Sequence, residues 1–152
     1  MDSPSATTPS SPLRARWPWF VFGTLGCFVL ARIGLAVDAW HDTIGAVWPA
    51  SGWSVALLCL GGRTLWPAVF TGNALALAIF SSASPLTAAL MAGGNATEAV
   101  AGAWLLDRLR RHRGIASELA PVLGYGGAAV LAPWPSVLIG LVTLRWVGGA
   151  EE

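Results

Sequence analysis

Residues 47–80 read VWPASGWSVALLCLGGRTLWPAVFTGNALALAIF. Two apolar runs, 44–61 and 65–80, meet at a very short GGRT turn, so they read as consecutive antiparallel helices. Each carries Trp-Pro near its start, at Trp48-Pro49 and Trp66-Pro67. That pair suits a helix start at a membrane–water interface. The indole anchors at the headgroups, and proline lacks an N–H where none is needed. The solvent around such a hairpin decides the fold, and the composition identifies it. Of 152 residues, 55% are hydrophobic and 11% charged, with a mean hydropathy of +0.61. Soluble domains carry roughly 25% charge and about 45–50% apolar residues. In water this chain could not cover itself with polar surface; in a bilayer it has no need to. The nine Trp, mostly near the ends of apolar runs, fit several interfacial anchors.

Upstream, residues 17–37, WPWFVFGTLGCFVLARIGLAV, are long enough to cross ~30 Å of hydrocarbon at about 1.5 Å per residue. A signal peptide cleaved after Ala39 is the competing reading; the length of the apolar region and Arg32 at its far end weigh against it. Residues 1–16, rich in Ser, Thr and Pro, read as a disordered cytoplasmic tail. Downstream, the SSASP turn (81–85) leads into a fourth run, 86–106. A charged segment, 107–118, precedes a fifth run, 119–147, which Pro133 and Pro135 should kink or break. The expected fold is all-α, a polytopic transmembrane bundle of about five spans over residues 17–147. A short tail, 148–152, follows. WPAVFTG (66–72) and WPSVLIG (134–140) share W-P-x-V-x-x-G, which reads as convergence on the same helix-start chemistry.

All nine basic residues are arginine. With the N-terminus in the cytoplasm, the inside segments hold Arg14, Arg16, Arg63, Arg108, Arg110, Arg111 and Arg113, against Arg145 outside. That is the positive-inside bias of an inner-membrane protein. A net charge of +1 gives no electrostatic case for nucleic acid.

Polar groups inside the spans are the candidate site. Glu98 lies ~13 Å from the inner boundary, and Asn73 about 15 Å, at 1.5 Å per residue. Asn95 is one turn from Glu98 on the same face. An intramembrane carboxylate costs about 2.5–3.5 kcal/mol, so it should face the bundle interior and find a partner; Arg32 is the candidate cation. This cluster reads either as a ligand pocket or protonation switch, or as polar glue between helices. Small residues, Ala89, Gly93, Gly94 and Ala96 in the fourth run and Gly124, Gly126, Gly127 and Ala128 in the fifth, allow close helix contacts. Cys27 and Cys59 read as small buried hydrophobes. Asp38, His41 and Asp42 read as a solvated loop rather than a metal site, and no cofactor is expected. The basic run 108–113 reads first as fixing topology, with contact to anionic lipid or a cytoplasmic partner as the other reading. Asn95-Ala96-Thr97 matches a glycosylation sequon but lies within a span. Neither a P-loop nor a G-x-S-x-G, H-E-x-x-H or C-x-x-C motif occurs, so no enzyme is expected.

The order of these motifs resembles the MASE1 family, a bacterial membrane-associated sensor domain. The matching residues are Trp48, Pro49, Gly52, Gly62, Arg63, Trp66, Pro67, Gly72, Asn73, Gly94, Asn95 and Glu98. The resemblance covers most of residues 44–147. It implies a sensory module without catalytic residues, joined to histidine kinase, diguanylate cyclase or phosphodiesterase domains. Two departures stand out: family modules carry more helices than the about five spans read here, and no effector domain follows. The expectation is a truncated or stand-alone module whose partners are the lipid bilayer, a histidine kinase, a diguanylate cyclase or other membrane protein, or a second copy. A small transport component or assembly scaffold is the alternative, with the midplane polar groups lining a substrate route.

Overall fold

The computed structural model describes residues 12–41, 48–111 and 126–148. They form α1 (Pro12–His41), α2 (Pro49–Gly61), a 3-10 turn (Arg63–Leu65), α3 (Trp66–Phe80), α4 (Pro85–Arg111) and α5 (Trp134–Gly148). Helical residues 126–131 and a turn at 132–133 precede α5. No strand occurs among the described residues. Outside them lie most of the expected N-terminal tail, Asp42, His112, Arg113, Gly124 and most of the terminal tail, as do the side chains of Asp38 and His41.

Proline and short polar residues set the helix starts. Trp48 is the N-cap of α2 with Pro49 in its first turn, and Trp66-Pro67 opens α3. Trp134-Pro135 opens α5, so all three of these Trp-Pro pairs mark helix starts. α1 begins at Pro12, upstream of the expected Trp17, because proline is accommodated in a first turn. Ser84 caps α4: its hydroxyl accepts the Thr87 N–H at 3.2 Å and pairs with the Thr87 hydroxyl at 2.9 Å. After α2, Gly62 takes φ +94° and ψ 150°, a conformation essentially confined to glycine and costing other residues about 1–3 kcal/mol, and its N–H closes on Leu58 O at 3.1 Å.

Glycines on α1 receive side chains from α2. A Cβ at Gly23 would meet Leu57, one at Gly26 the Trp53 indole, and one at Gly34 the Trp48 ring. The order reverses along α2, so the two helices are antiparallel. α3 runs parallel to α1: Gly72 crosses it at Thr24–Phe28, and Phe80 lies against Phe28 further along. α4 packs on α2, α3 and α5 and is antiparallel to α5, with Gly102 near Ala132 and Gly94 near Ser136 and Ile139.

The layering is inverted relative to a soluble protein. The interior is mainly alanine, including Ala68, Ala76, Ala92, Ala96 and Ala99, with Leu57, Leu58 and Val69. Large apolar side chains face outward, among them Leu60, Ile79, Val130, Leu141 and Trp146. Two stretches are long and apolar enough to cross a membrane, Arg16–Val37 and Gly126–Thr143, and only 22% and 17% of them is buried. A soluble core helix would be mostly buried, so these faces are built for an apolar medium. α2, at 13 residues, is a shorter apolar helix, spanning about 20 Å at 1.5 Å per residue. The described helices thus supply two full-length candidates and a shorter one, fewer than the about five spans expected. α4 is long enough, but its small and polar residues lower its hydropathy.

Candidate functional site

Polar side chains within the helices mostly bond to their own backbone. Ser54 donates to Ala50 O (2.7 Å), Thr71 to Pro67 O (2.8 Å) and Thr143 to Ile139 O (2.7 Å). Such back-bonding satisfies a hydroxyl without a neighbouring helix. Asn73 does more. Fully buried at 0% exposure, its amide donates to Val69 O at 2.9 Å, while its Oδ1 accepts from Asn95 Nδ2 at 3.3 Å. Asn95 Oδ1 in turn accepts from the Ser136 hydroxyl at 3.3 Å. One chain of side-chain hydrogen bonds therefore links α3, α4 and α5, beside the buried small residues Ala92, Gly94 and Ala96 of α4. Each such interhelical bond in lipid contributes about 0.6–2 kcal/mol.

Ser136 is the member sequence reading missed. Its signal lay in the repeated W-P-x-V motif, where serine stands in place of Ala68, but only the packing of α5 on α4 shows what it meets. The repeat itself does not extend to packing. Gly72 sits at a tight crossing, whereas nothing lies within 4 Å of a Cβ at Gly140.

Glu98 is half-buried. It follows Asn95 by three residues and precedes Gly102 by four, so it shares their stripe of α4. Asn95 meets Ser136, and Gly102 faces Val55 and Ala132. Glu98 thus lies on the side of α4 facing α2 and the turn before α5. Arg32 goes elsewhere: its guanidinium lies over the Phe80 ring, 4.7 Å from the centroid. The expected Arg32–Glu98 bridge is therefore not formed. The described residues hold one ion pair, Arg111–Asp107 at 2.8 Å. Depth along the chain put Arg32 within reach, but its side chain is exposed on α1 beside α3.

The other motif residues divide by role. Trp48, Pro49, Trp66 and Pro67 start helices. Arg63 stands in the turn set by Gly62. Gly94 admits Ser136 and Ile139 at 3.4–3.6 Å from its Cβ position. At Gly72 a Cβ would lie 2.5 Å from Thr24 O and 2.6 Å from Cys27 Cβ, so only glycine fits without displacing α1. Gly52, Gly93, Gly126 and Gly127 have nothing within 4 Å, and no close approach explains them. Cys27 is buried, its sulfur 3.4 Å from the Ser54 hydroxyl, and both cysteines are unpaired thiols. Among the described residues no group of His, Cys, Asp and Glu could hold a metal ion.

A family model, MASE1, matches residues 15–152. Searches of curated proteins and of solved structures return no match. Family domains occur as input modules of histidine kinases and diguanylate cyclases. The match takes in α1 from residue 15 and all the later helices, and the inverted layering agrees with a membrane domain: the chain belongs to the MASE1 family of non-catalytic membrane sensory modules.

Proposed function

We propose that the chain is a sensory input module of the bacterial inner membrane with its N-terminus in the cytoplasm. It crosses about five times, the fifth crossing bent at Pro133/Pro135. Its signal is a shift in the packing of α4 against α3 and α5, biased by a ligand or by a membrane partner such as a kinase or cyclase. The supporting observation is the Asn73–Asn95–Ser136 chain. A polar link through three helices with small side chains between them can exist in two registers more readily than an interlocked apolar core. Glu98, on the same stripe of α4, supplies a charge whose loss or gain would bias the two packings. Arg32 has no part in this proposed switch.

The test is a chimera of residues 1–152 with a reporter histidine kinase. Asn95→Ala cuts both interhelical bonds; Glu98→Gln removes the charge and keeps the shape. Each is expected to change kinase output by about fivefold or more, the lower end of typical coupling energies, with membrane levels unchanged. Output equal to the parent in both variants would remove the switch role.

A further inference from the structure

A second polar site lies at the arginine-bearing end of the bundle. A cavity of about 190 Å³ opens between the C-terminal turns of α2 and α4, lined by residues that include Cys59, Gly62, Arg63, Asp107 and Arg110. A neighbouring cavity of about 240 Å³ shares Arg63 and Asp107 and adds Trp104, Arg108 and Arg111. Asp107 is the one carboxylate in either, and it is engaged: Arg111 donates to it from Nε at 3.3 Å and from Nη2 at 2.8 Å. That pairing holds the Asp107 carboxyl below the usual carboxylate range, with Arg63 and Arg110 adding to the effect. Arg63 and Arg110 thus converge on one cleft without an ion pair of their own among the described residues. Arg16, tied to Thr64 at 2.6 Å, adds positive charge beside them.

The level of the cleft in the bundle narrows the ligand. Trp19, Trp66 and Trp104 are exposed at this same end, and the Arg108 guanidinium lies 5.5 Å from the Trp104 ring centroid. Exposed indoles mark the headgroup level, where the nearest abundant anion is a lipid phosphate. Guanidinium forks match phosphate oxygens in geometry and charge. We propose that this cleft binds a phosphate group between Arg63 and Arg110, supplied by the headgroup of an anionic phospholipid.

Native mass spectrometry of the full chain, released from neutral detergent, tests this by titration with phosphatidylglycerol or phosphatidylcholine. Phosphatidylglycerol should be retained in preference. Arg110→Gln should weaken it about fivefold, and Arg110→Lys less. Arg145→Gln, which removes the same charge from α5, should leave retention unchanged. Because the turn at Arg63 could be needed for folding, Arg63→Lys is the second variant, and partial weakening is expected. Equilibrium dialysis with inorganic phosphate separates the sources: phosphate held by the lipid-free protein and lost in Arg110→Gln keeps the site but assigns its ligand to solution. Equal retention of both lipids with no bound phosphate, or equal losses in Arg110→Gln and Arg145→Gln, would overturn the proposal.

Discussion

Gly72 and Gly52 look alike in the sequence, each a glycine six residues or fewer after a Trp-Pro pair. Their surroundings separate them. A methyl at Gly72 would press on the Thr24 carbonyl and on Cys27, both fixed to the α1 backbone, whereas Gly52 faces open space. Gly72→Ala must therefore part α1 from α3. Overpacking of this kind costs about 1–3 kcal/mol. Gly52→Ala meets no obstacle and gains helix propensity worth up to about 1 kcal/mol. Reversible unfolding of the two variants in mixed micelles is expected to give opposite signs. Equal effects would show that the crossing at Gly72 yields without strain. Nothing in the sequence distinguishes these glycines, because close approach depends on which faces of two helices meet. Gly62 was more legible, since a two-glycine turn between apolar runs already points to a residue with positive φ.

Among the elements, the pair α2 and α3 was readable from its short turn and Trp-Pro starts, and the start of α4 from Pro85, whereas α1 and α4 run past their expected ends, to His41 and Arg111. The partners of each polar residue were less so. Depth can be counted along a chain, and it placed Asn73 close to the level of Glu98, with Asn95 one turn further out. Azimuth cannot be counted without the crossing geometry, which is why Arg32 was expected at Glu98 and lies over Phe80 instead. The packing of α5 on α4 is the contact least visible beforehand, and it carries the Ser136 bond. A Cβ at Gly94 would lie 3.5 Å from Ser136 Cα, so Gly94→Cys with Ser136→Cys should form a disulfide readily, in a background with Cys27 and Cys59 replaced by alanine. Gly93→Cys with Ser136→Cys is the control, because nothing lies within 4 Å of Gly93. Mild oxidation followed by a gel shift reads the outcome. Cross-linking of the Gly93 pair in preference to the Gly94 pair would place a different face of α4 against α5.

The whole molecule puts its small residues inside and its large apolar ones outside, so its orientation is set by charge at the two ends rather than by a core. One end gathers Arg16, Arg63, Arg108, Arg110 and Arg111 around the end of α2 and the end of α4. The other carries the α3–α4 turn at 81–84, which has no basic residue, and the last turn of α5 with the single Arg145. Positive charge is retained on the cytoplasmic side during insertion, so the arginine end should face the cytoplasm. Ser82 and Thr64 are both exposed and lie at opposite ends. In the same cysteine-free background, Ser82→Cys is expected to react in whole cells with a maleimide that crosses the outer but not the inner membrane. Thr64→Cys should react only after the inner membrane is opened. The chain's short turns leave no long loop between these two sites, so labelling at one end fixes the other through α3, whose 15 residues separate the ends by about 22 Å at 1.5 Å per residue. Reaction of Thr64→Cys in intact cells, with Ser82→Cys protected, would invert the bundle and put the phosphate cleft on the periplasmic side.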